Sequence, residues 1–469
     1  MRGKIEYYLN SSKEYFNKNI ESRLEFINKK EFLFSEISKF INNCINNSKE
    51  VFLFCAGNSI ISKNIKSEKI NIKEINQDFE KNFNDKVSYK NDFEKKDIES
   101  CDHIVVADIE HQNNPTLNLL KLSKVINDDA RIVLLSKNFF WMFIIKILKL
   151  FFNFSPKENN FLPSSYLFNL YSSCNLEVVR SEKIIALPIK IPFFTNFINK
   201  IFRLPILNWM CILNITILKK INTKSIHLNK KVSFIIPCKN EEKNIPLFET
   251  QINNLNEDDE FLFGDDKSTD QTKNEIDKIK TKLSNKNINL YQGPGICKSQ
   301  NVYKGIEFAN GEIIVIYDAD HTVSFDDINF AVNILNNSNA DFINCTRMIY
   351  PQKEGAMKKF NFLGNSFFAF LFSILFKKKI TDTLCGTKIF YKKDWYKIKK
   401  DVSNWGAKDL WGDFDLLIGA YKNNLKILEV PVTYFDRTEG KTKMTNVITN
   451  ASRMFWIVIY SFYKLRLKD

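Results

Sequence analysis

Two acidic clusters, each closing an apolar run, hold the residues best suited to chemistry. Phe261-Leu262-Phe263 leads into Gly264-Asp265-Asp266-Lys267-Ser268-Thr269-Asp270, and Ile313-Ile314-Val315-Ile316-Tyr317 leads into Asp318-Ala319-Asp320. A third run, Val232 to Pro237, breaks into Cys238-Lys239-Asn240-Glu241-Glu242. Two carboxylates in an Asp-x-Asp spacing suit magnesium or manganese. Such a hard cation takes one or two carboxylates and completes its shell with phosphate and water, a common way of holding a nucleotide diphosphate.

The elements that must position these residues follow from the pattern. Continuous apolar runs ended by polar loops read as buried parallel strands. In open α/β sheets the ligand sits at the carboxyl ends of such strands. The bland alternatives are a turn at Asp265, Asp266 and Asp270, a helix cap at Asp318 and a solvated Lys298.

Residues from about Lys231 to Lys443 resemble the family-two glycosyltransferases and, within them, the polyprenyl-phosphate (dolichol-phosphate-mannose-synthase-like) sugar transferases. Ser233 to Glu242 is similar to "VxIPxxNEExxI", and Asp265-Asp266-x-Ser268-x-Asp270-x-Thr272 to "DDxSxDxT". Lys298, Gly305, Ala309 and Gly311 resemble "KGxAxxxGxxxAxG", and Asp318-Ala319-Asp320 the metal triplet. Thr381-Asp382-Thr383-x-Cys385-Gly386-x-Lys388-x-Phe390 resembles "TDxxxGfrxF". Glu429-Val430-Pro431-Val432 and Arg437 to Lys443 resemble the closing "EVPV" and "RxxGxSK". The chain departs from the pattern at Lys239, usually aromatic, at Cys297 and Ser299, usually glycine, at Thr442, usually serine, and at Thr322, often glutamine.

The resemblance implies a GT-A-type domain that moves a sugar from a nucleotide diphosphate sugar to an acceptor. Asp318 and Asp320 would hold Mg2+ or Mn2+ against the two phosphates. Asp265 and Asp266 would contact the base or ribose, with Pro237, Asn240 and Glu241 lining the same side and Lys298 reaching the base or diphosphate. Arg347 matches a "gSR" position and would bind phosphate, or else form a sheet-edge ion pair. Asp413 and Asp415 would orient the sugar or acceptor. Arg437 and Lys443 would grip a lipid phosphate. His321 is left as either a ligand or a spectator.

Two acceptors stay open. A polyprenyl phosphate needs no general base, because a phosphate monoester is already anionic near neutral pH, with a second pKa of about 6. A glycan hydroxyl needs a carboxylate base, for which Asp413 and Asp415 are the candidates. A third reading makes the chain a scaffold.

The chain has 469 residues, which favours two domains. Its formal net charge of +14 favours anionic partners. No arginine-rich or zinc-finger pattern points to nucleic acid. Nine scattered cysteines without Cys-x-x-Cys point to a reducing compartment. No run of about eighteen apolar residues predicts a membrane span. Four apolar, lysine-edged segments, Phe139–Phe154, Ile191–Leu218, Phe360–Phe376 and Met454–Tyr463, fit helices lying in the membrane interface. The expected location is cytoplasmic, peripheral at the inner face of the membrane. Oligomeric state is not legible.

Residues 1–225 read as a separate unit with strands at Val51–Phe54, Asp102–Asp108 and Ala130–Ser136. This half resembles the class I methyltransferase domain. Its would-be cofactor loop keeps only Gly57, however, so S-adenosylmethionine is not expected to bind. Glu74 and Asp92 are the candidate ribose and adenine contacts, and His103 and His111 read as loop or surface residues. The bifunctional alternative is an active methyltransferase fused to the transferase. The expected fold is α/β with two doubly wound domains. The first, 1–225, is Rossmann-like and of methyltransferase type. The second, 230–445, is a GT-A-type nucleotide-sugar domain, followed by an apolar, basic helix at 446–469. Asn222 to Lys230 is the expected linker.

Overall fold

The computed structural model describes residues 25, 29–46, 48–55, 58–74, 87–90, 94–107, 109–112, 114–138, 140–141, 162, 164–204, 207–221, 230–253, 258–337, 340–350, 359–404, 409–437, 439 and 447–467. The chain forms two compact units, Met1–Thr223 with Arg466–Asp469, and Lys224–Leu465. Both are α/β with a mostly parallel seven-stranded sheet.

In the first unit the strands are β1 (Glu50–Cys55), β2 (Lys69–Glu74), β3 (Val87–Tyr89), β4 (His103–Val106), β5 (Arg131–Lys137), β6 (Leu176–Ile184) and β7 (Leu213–Lys220). Their order is β3-β2-β1-β4-β5-β7-β6. The first five run parallel, and β7 is antiparallel to both β5 and β6. The sheet reverses its winding between β1 and β4, the kind of crevice where doubly wound sheets take ligands. Glu74 ends β2 there, buried, and its Oε2 accepts the Ser59 N–H at 3.2 Å. Asn58 donates from Nδ2 to the Ala107 carbonyl at 2.9 Å. Gly57 and Asp92 lie outside the described residues.

The second unit has β8 (Val232–Cys238), β9 (Glu260–Asp265), β10 (Asn287–Gln292), β11 (Ile313–Ile316), β12 (Phe342–Thr346), β13 (Lys388–Tyr391) and β14 (Ile427–Pro431), in the order β10-β9-β8-β11-β13-β12-β14. Six strands point one way, and β13 alone runs against its neighbours β11 and β12. The apolar runs form strands because both faces are covered. Phe234, Ile236, Phe261 and Phe263 pack into one buried layer, and Ile235, Leu262, Ile314 and Ile316 into the other. Each such side chain contributes roughly 1.5–3 kcal/mol on burial. The parallel run puts the carboxyl ends of β8, β9, β11, β12 and β14 on one edge. Antiparallel β13 brings its amino end to that same edge.

Among the described residues, no helix is long and apolar enough to cross a membrane. The apolar segment Phe360–Phe376 falls in the helix Lys359–Phe376, and Met454–Tyr463, up to Phe462, in the helix Val447–Phe462. The latter, expected as a separate C-terminal element, belongs to the second unit. The segment Ile191–Leu218 is not one interfacial helix. It divides into the helix Phe194–Phe202, a turn at Asn208–Met210 and most of β7, because β7 pairs on both edges and needs the apolar residues as a strand. Phe139–Phe154 lies outside the described residues except for Phe140 and Trp141.

Candidate active site

The loops after β8 and β9 are stitched to each other. The Asn240 N–H donates to Ser268 Oγ at 2.9 Å, and Asn240 Oδ1 accepts the Thr269 N–H at 2.8 Å. The Glu242 N–H donates to Asp270 Oδ2 at 3.2 Å, and Glu242 Oε2 accepts the Gln271 N–H at 2.9 Å. The Glu241 N–H donates to Thr272 Oγ1, and Glu241 Oε2 accepts from Asn244 Nδ2. Asn240, expected to line the donor side, thus uses its side-chain oxygen to hold the loops together, whereas Glu241 crosses through its backbone N–H and turns its carboxylate to Asn244 in its own loop. Pro237 sits half-buried one residue before the end of β8.

Asp265 and Asp266 are buried at the end of β9. Asp265 Oδ1 accepts the Ser268 N–H at 3.1 Å, and Asp266 Oδ1 accepts the Gly295 N–H at 2.6 Å. Lys239, the residue that departs from the family pattern, lies 3.8 Å from Asp266 Oδ2. A cation therefore stands beside the carboxylate expected to meet the base or ribose.

Asp318 and Asp320 follow β11. Asp318 Oδ1 lies 2.6 Å from Lys298 Nζ, at the start of the helix Lys298–Phe308. Burial works against the Asp318 charge, but the Lys298 ammonium, helped by Arg347 and Arg437, holds its carboxyl below the usual range. Burial likewise disfavours the Lys298 charge, and Asp318, Asp413 and Asp320 together raise its pKa. Gly386 explains itself here, since a Cβ on it would fall 2.3 Å from Asp318 Oδ2 and 2.7 Å from Lys298 Nζ. It lies two residues ahead of β13, and a side chain would close the site.

Asp320 Oδ2 lies 2.6 Å from an Arg437 terminal nitrogen, and its Oδ1 accepts from Thr322 Oγ1 at 2.9 Å. Arg437 arrives because the segment after β14 runs back alongside the segment after Asp320. Val323 and Tyr434 form an antiparallel bridge, and the Phe435 N–H donates to the Thr322 carbonyl at 2.8 Å. Lys443 lies outside the described residues.

His321 has both ring nitrogens engaged away from the carboxylates. Nε2 is 3.0 Å from the Asn244 carbonyl, and Nδ1 is 3.1 Å from Gln251 Nε2. Burial lowers its pKa, so the neutral ring ties the metal-triplet loop to the segment after β8.

Arg347, whose charge reaches Asp318, is paired with a carboxylate. Its Nε and a terminal nitrogen meet the Asp382 carboxylate at 2.8 and 3.0 Å, and Asn365 Nδ2 adds a third bond at 2.8 Å. Asp382 is fully buried, and although burial opposes its charge, Arg347 drives its pKa far down. The bidentate pair fits the ion-pair alternative.

Asp413 and Asp415 open the helix Asp413–Lys422, and two residues apart they face different sides of it. Burial raises the Asp413 pKa, against the pull of Lys298. Asp415 contacts Tyr303 Oη at 3.2 Å. Burial and then Asp409 push its carboxyl up to about 8. Asp409, missed in the sequence reading, caps this helix by accepting the N–H groups of Phe414 and Asp415 at 2.8 and 3.1 Å. The signal was present as an Asp ahead of a glycine and a helix start. That glycine, Gly412, has φ +87°, which suits no branched side chain.

Asp318 and Asp320 suit a divalent cation: two hard oxygen donors at a strand end, with side chains one-third and one-eighth exposed. Among the described residues, no group of three or more His, Cys, Asp or Glu side chains is placed to hold a metal. A cation here would take the rest of its shell from phosphate and water.

Comparison with known proteins places this arrangement. Residues 233–398 match Glycosyl transferase family 2. The chain is similar to the dolichyl-phosphate beta-glucosyltransferase ALG5C of Trichomonas vaginalis, 27% identical over 248 residues, covering 49% of this chain and 71% of that protein. It is also similar to ALG5D of the same organism, 26% identical over 254 residues, covering 50% of this chain and 75% of that one. Among solved structures it is similar to glucosyl-3-phosphoglycerate synthase from Mycobacterium tuberculosis in complex with Mn2+, UDP and glucosyl-3-phosphoglycerate. That likeness has 14% identity and a TM-score of 0.37, over 51% of this chain and 82% of that one. A second is TarS 1–349 of S. aureus in complex with UDP-GlcNAc, at 18% identity and a TM-score of 0.38, over 51% and 68%. The chain carries a family 2 glycosyltransferase domain, and it is a glycosyltransferase that takes its sugar from a nucleotide sugar.

Proposed function

We propose that this family 2 glycosyltransferase domain moves a sugar from a nucleotide diphosphate sugar to a polyprenyl phosphate at the cytoplasmic membrane face. The observation that carries the reading is the Arg437–Asp320 pair, which sets a phosphate-binding cation against the carboxylates suited to the donor's metal. Relatives named for transfer to dolichyl phosphate favour the same acceptor.

Asp318 and Asp320 would hold Mg2+ or Mn2+. Bound there, the ion would neutralise charge gathering on the departing diphosphate. Lys298, paired with Asp318, adds a cation at the same place. Asp265 and Asp266 face the nucleoside end, where Lys239 adjusts the charge that the base meets. Arg437, and Lys443 six residues on, grip the acceptor phosphate. Its oxygen attacks the sugar's anomeric carbon as the bond to the nucleotide diphosphate breaks. No side chain has to remove a proton from an acceptor already anionic near neutral pH.

Exposed aromatics support work at a membrane surface. Phe367 and Phe370 stand out from the helix Lys359–Phe376, and Phe455 and Trp456 from the helix Val447–Phe462. Direct transfer to a glycan hydroxyl is favoured by one observation, the raised pKa of Asp413, which suits a carboxylate base. Labelled sugar extracted into the organic phase with polyprenyl phosphate supports the first reading. Label found only on a soluble glycan supports the second.

For the first unit, the order β3-β2-β1-β4-β5-β7-β6, with β7 alone reversed, supports a methyltransferase-like reading. Glu74, expected at the ribose, ends β2 and accepts the Ser59 N–H through Oε2.

A further inference from the structure

The helix Phe194–Phe202 of the first unit buries two polar residues and exposes two phenyl rings. Thr195 and Asn199 are buried and Ile198, Ile201 and Phe202 half-buried, while Phe194 and Phe197 are 52% and 61% exposed, beside exposed Asn196 and Lys200. Phe193, just ahead of the helix, is 95% exposed, and Ile189 and Ile191 extend the same surface. A helix on a water-facing surface does the reverse, turning its apolar stripe inward.

This orientation is fixed by hydrogen bonds. Thr195 Oγ1 donates to the Ile189 carbonyl at 2.6 Å and accepts the Ile191 N–H at 2.8 Å. Asn199 Oδ1 accepts the N–H groups of Ala186 and Leu187 at 2.9 and 2.8 Å, and its Nδ2 donates to the Leu187 carbonyl at 3.2 Å. Rolling the phenyl rings inward would strip all of these bonds. Phe193 also holds φ +61°, a costly conformation for a bulky side chain, and in it the residue stays almost wholly exposed.

The charge around the rings selects what meets them. Lys190 and Lys200 flank them, both exposed. No Asp or Glu occurs between Glu182 and Glu241. Phenyl rings rimmed by lysine, with no acid among them, match the boundary between acyl chains and anionic headgroups.

We infer that this face is a lipid anchor of the first unit, with Phe193, Phe194 and Phe197 entering the interface of an anionic bilayer and Lys190 and Lys200 meeting its headgroups. The inference rests on the lipid-phosphate reading and adds to it a task for the unit that lacks the transferase site: holding the enzyme on the membrane that carries its acceptor.

The test uses the full chain and vesicles of equimolar phosphatidylcholine and phosphatidylglycerol. Phe193→Ser with Phe197→Ser lowers vesicle partitioning by at least about tenfold. Lys190→Glu with Lys200→Glu lowers it at low salt, and the difference shrinks in high salt. In solution the serine variant keeps the wild-type thermal midpoint, and without vesicles it keeps wild-type transfer to a short, water-soluble prenyl phosphate. Wild-type partitioning by the serine variant overturns the inference. So does a lowered midpoint in solution, which would mean that the chain itself covers the rings. Failure of the wild-type protein to use the soluble prenyl phosphate instead counts against the acceptor reading, so the two failures are told apart.

Discussion

Arg437 and Asp320 stand 117 positions apart in the chain, yet their side chains meet at 2.6 Å. The contact depends on the antiparallel bridge of Val323 with Tyr434 and on no nearby sequence feature. It joins the last motif of the transferase unit to the carboxylates at the end of β11.

Asp320→Asn is expected to abolish sugar transfer while leaving the thermal midpoint within a few degrees of wild type. Excess chelator should do the same, and added Mg2+ or Mn2+ should restore it. Loss of a metal-binding carboxylate removes charge stabilisation worth several kcal/mol. Full activity in chelator would sink the metal assignment.

Arg437→Ala and Lys443→Ala should each slow transfer to polyprenyl phosphate by roughly ten- to a hundredfold, the cost of losing a charged hydrogen bond of about 1.5–3 kcal/mol. Nucleotide-sugar affinity, read by calorimetry, should fall much less. Wild-type rates in both variants would move the hydroxyl acceptor ahead.

Asp382→Asn should destabilise the chain by about 3–5 kcal/mol in urea unfolding, because it leaves Arg347 buried without its charge partner. Removing both partners, as Arg347→Met with Asp382→Leu, should cost less than the two single changes added together. The folded pKa of Asp382 is depressed, so its stabilisation is complete above the ordinary aspartate range. It is lost as pH falls through that range and below. A stability curve flat in acid would contradict this.

Asp415 has the opposite sign. Its folded pKa, about 8, lies above the ordinary 3.8, so the folded state holds a proton that the unfolded state releases. Stability therefore falls as pH rises between those values. Asp415→Asn should flatten this slope and raise the thermal midpoint most at alkaline pH. Identical slopes in variant and wild type would remove the assignment.

Calorimetry on the full chain should find S-adenosylmethionine binding weak or absent. Micromolar affinity would revive the bifunctional reading.

Much of the second unit's sheet was readable, since Val232–Pro237, Phe261–Phe263 and Ile313–Ile316 are apolar runs too short for helices and each ends in polar residues. The same signal found Asp318 and Asp320. Pairings over long separations were not readable. Nothing near Arg347 marks Asp382 as its partner, and the segment brought back by Tyr434 has no local signature. Asn240 reads as a ligand contact because polar residues at a strand end serve a neighbouring loop as readily as a substrate. The segment Ile191–Leu218 was readable as apolar, but not which face of the helix Phe194–Phe202 is exposed, because composition does not say which side meets the protein.

The mutual hydrogen bonds between the loops after β8 and β9 have a dynamic consequence. The amides of Asn240, Glu241, Glu242, Thr269 and Gln271 each bond across to the opposite loop. One loop cannot lift without exposing the amides of the other. The two behave as one cooperative opening unit, and their amide hydrogens should exchange with solvent at a common rate. The nucleoside end of the donor therefore meets a surface that opens as a whole or stays closed.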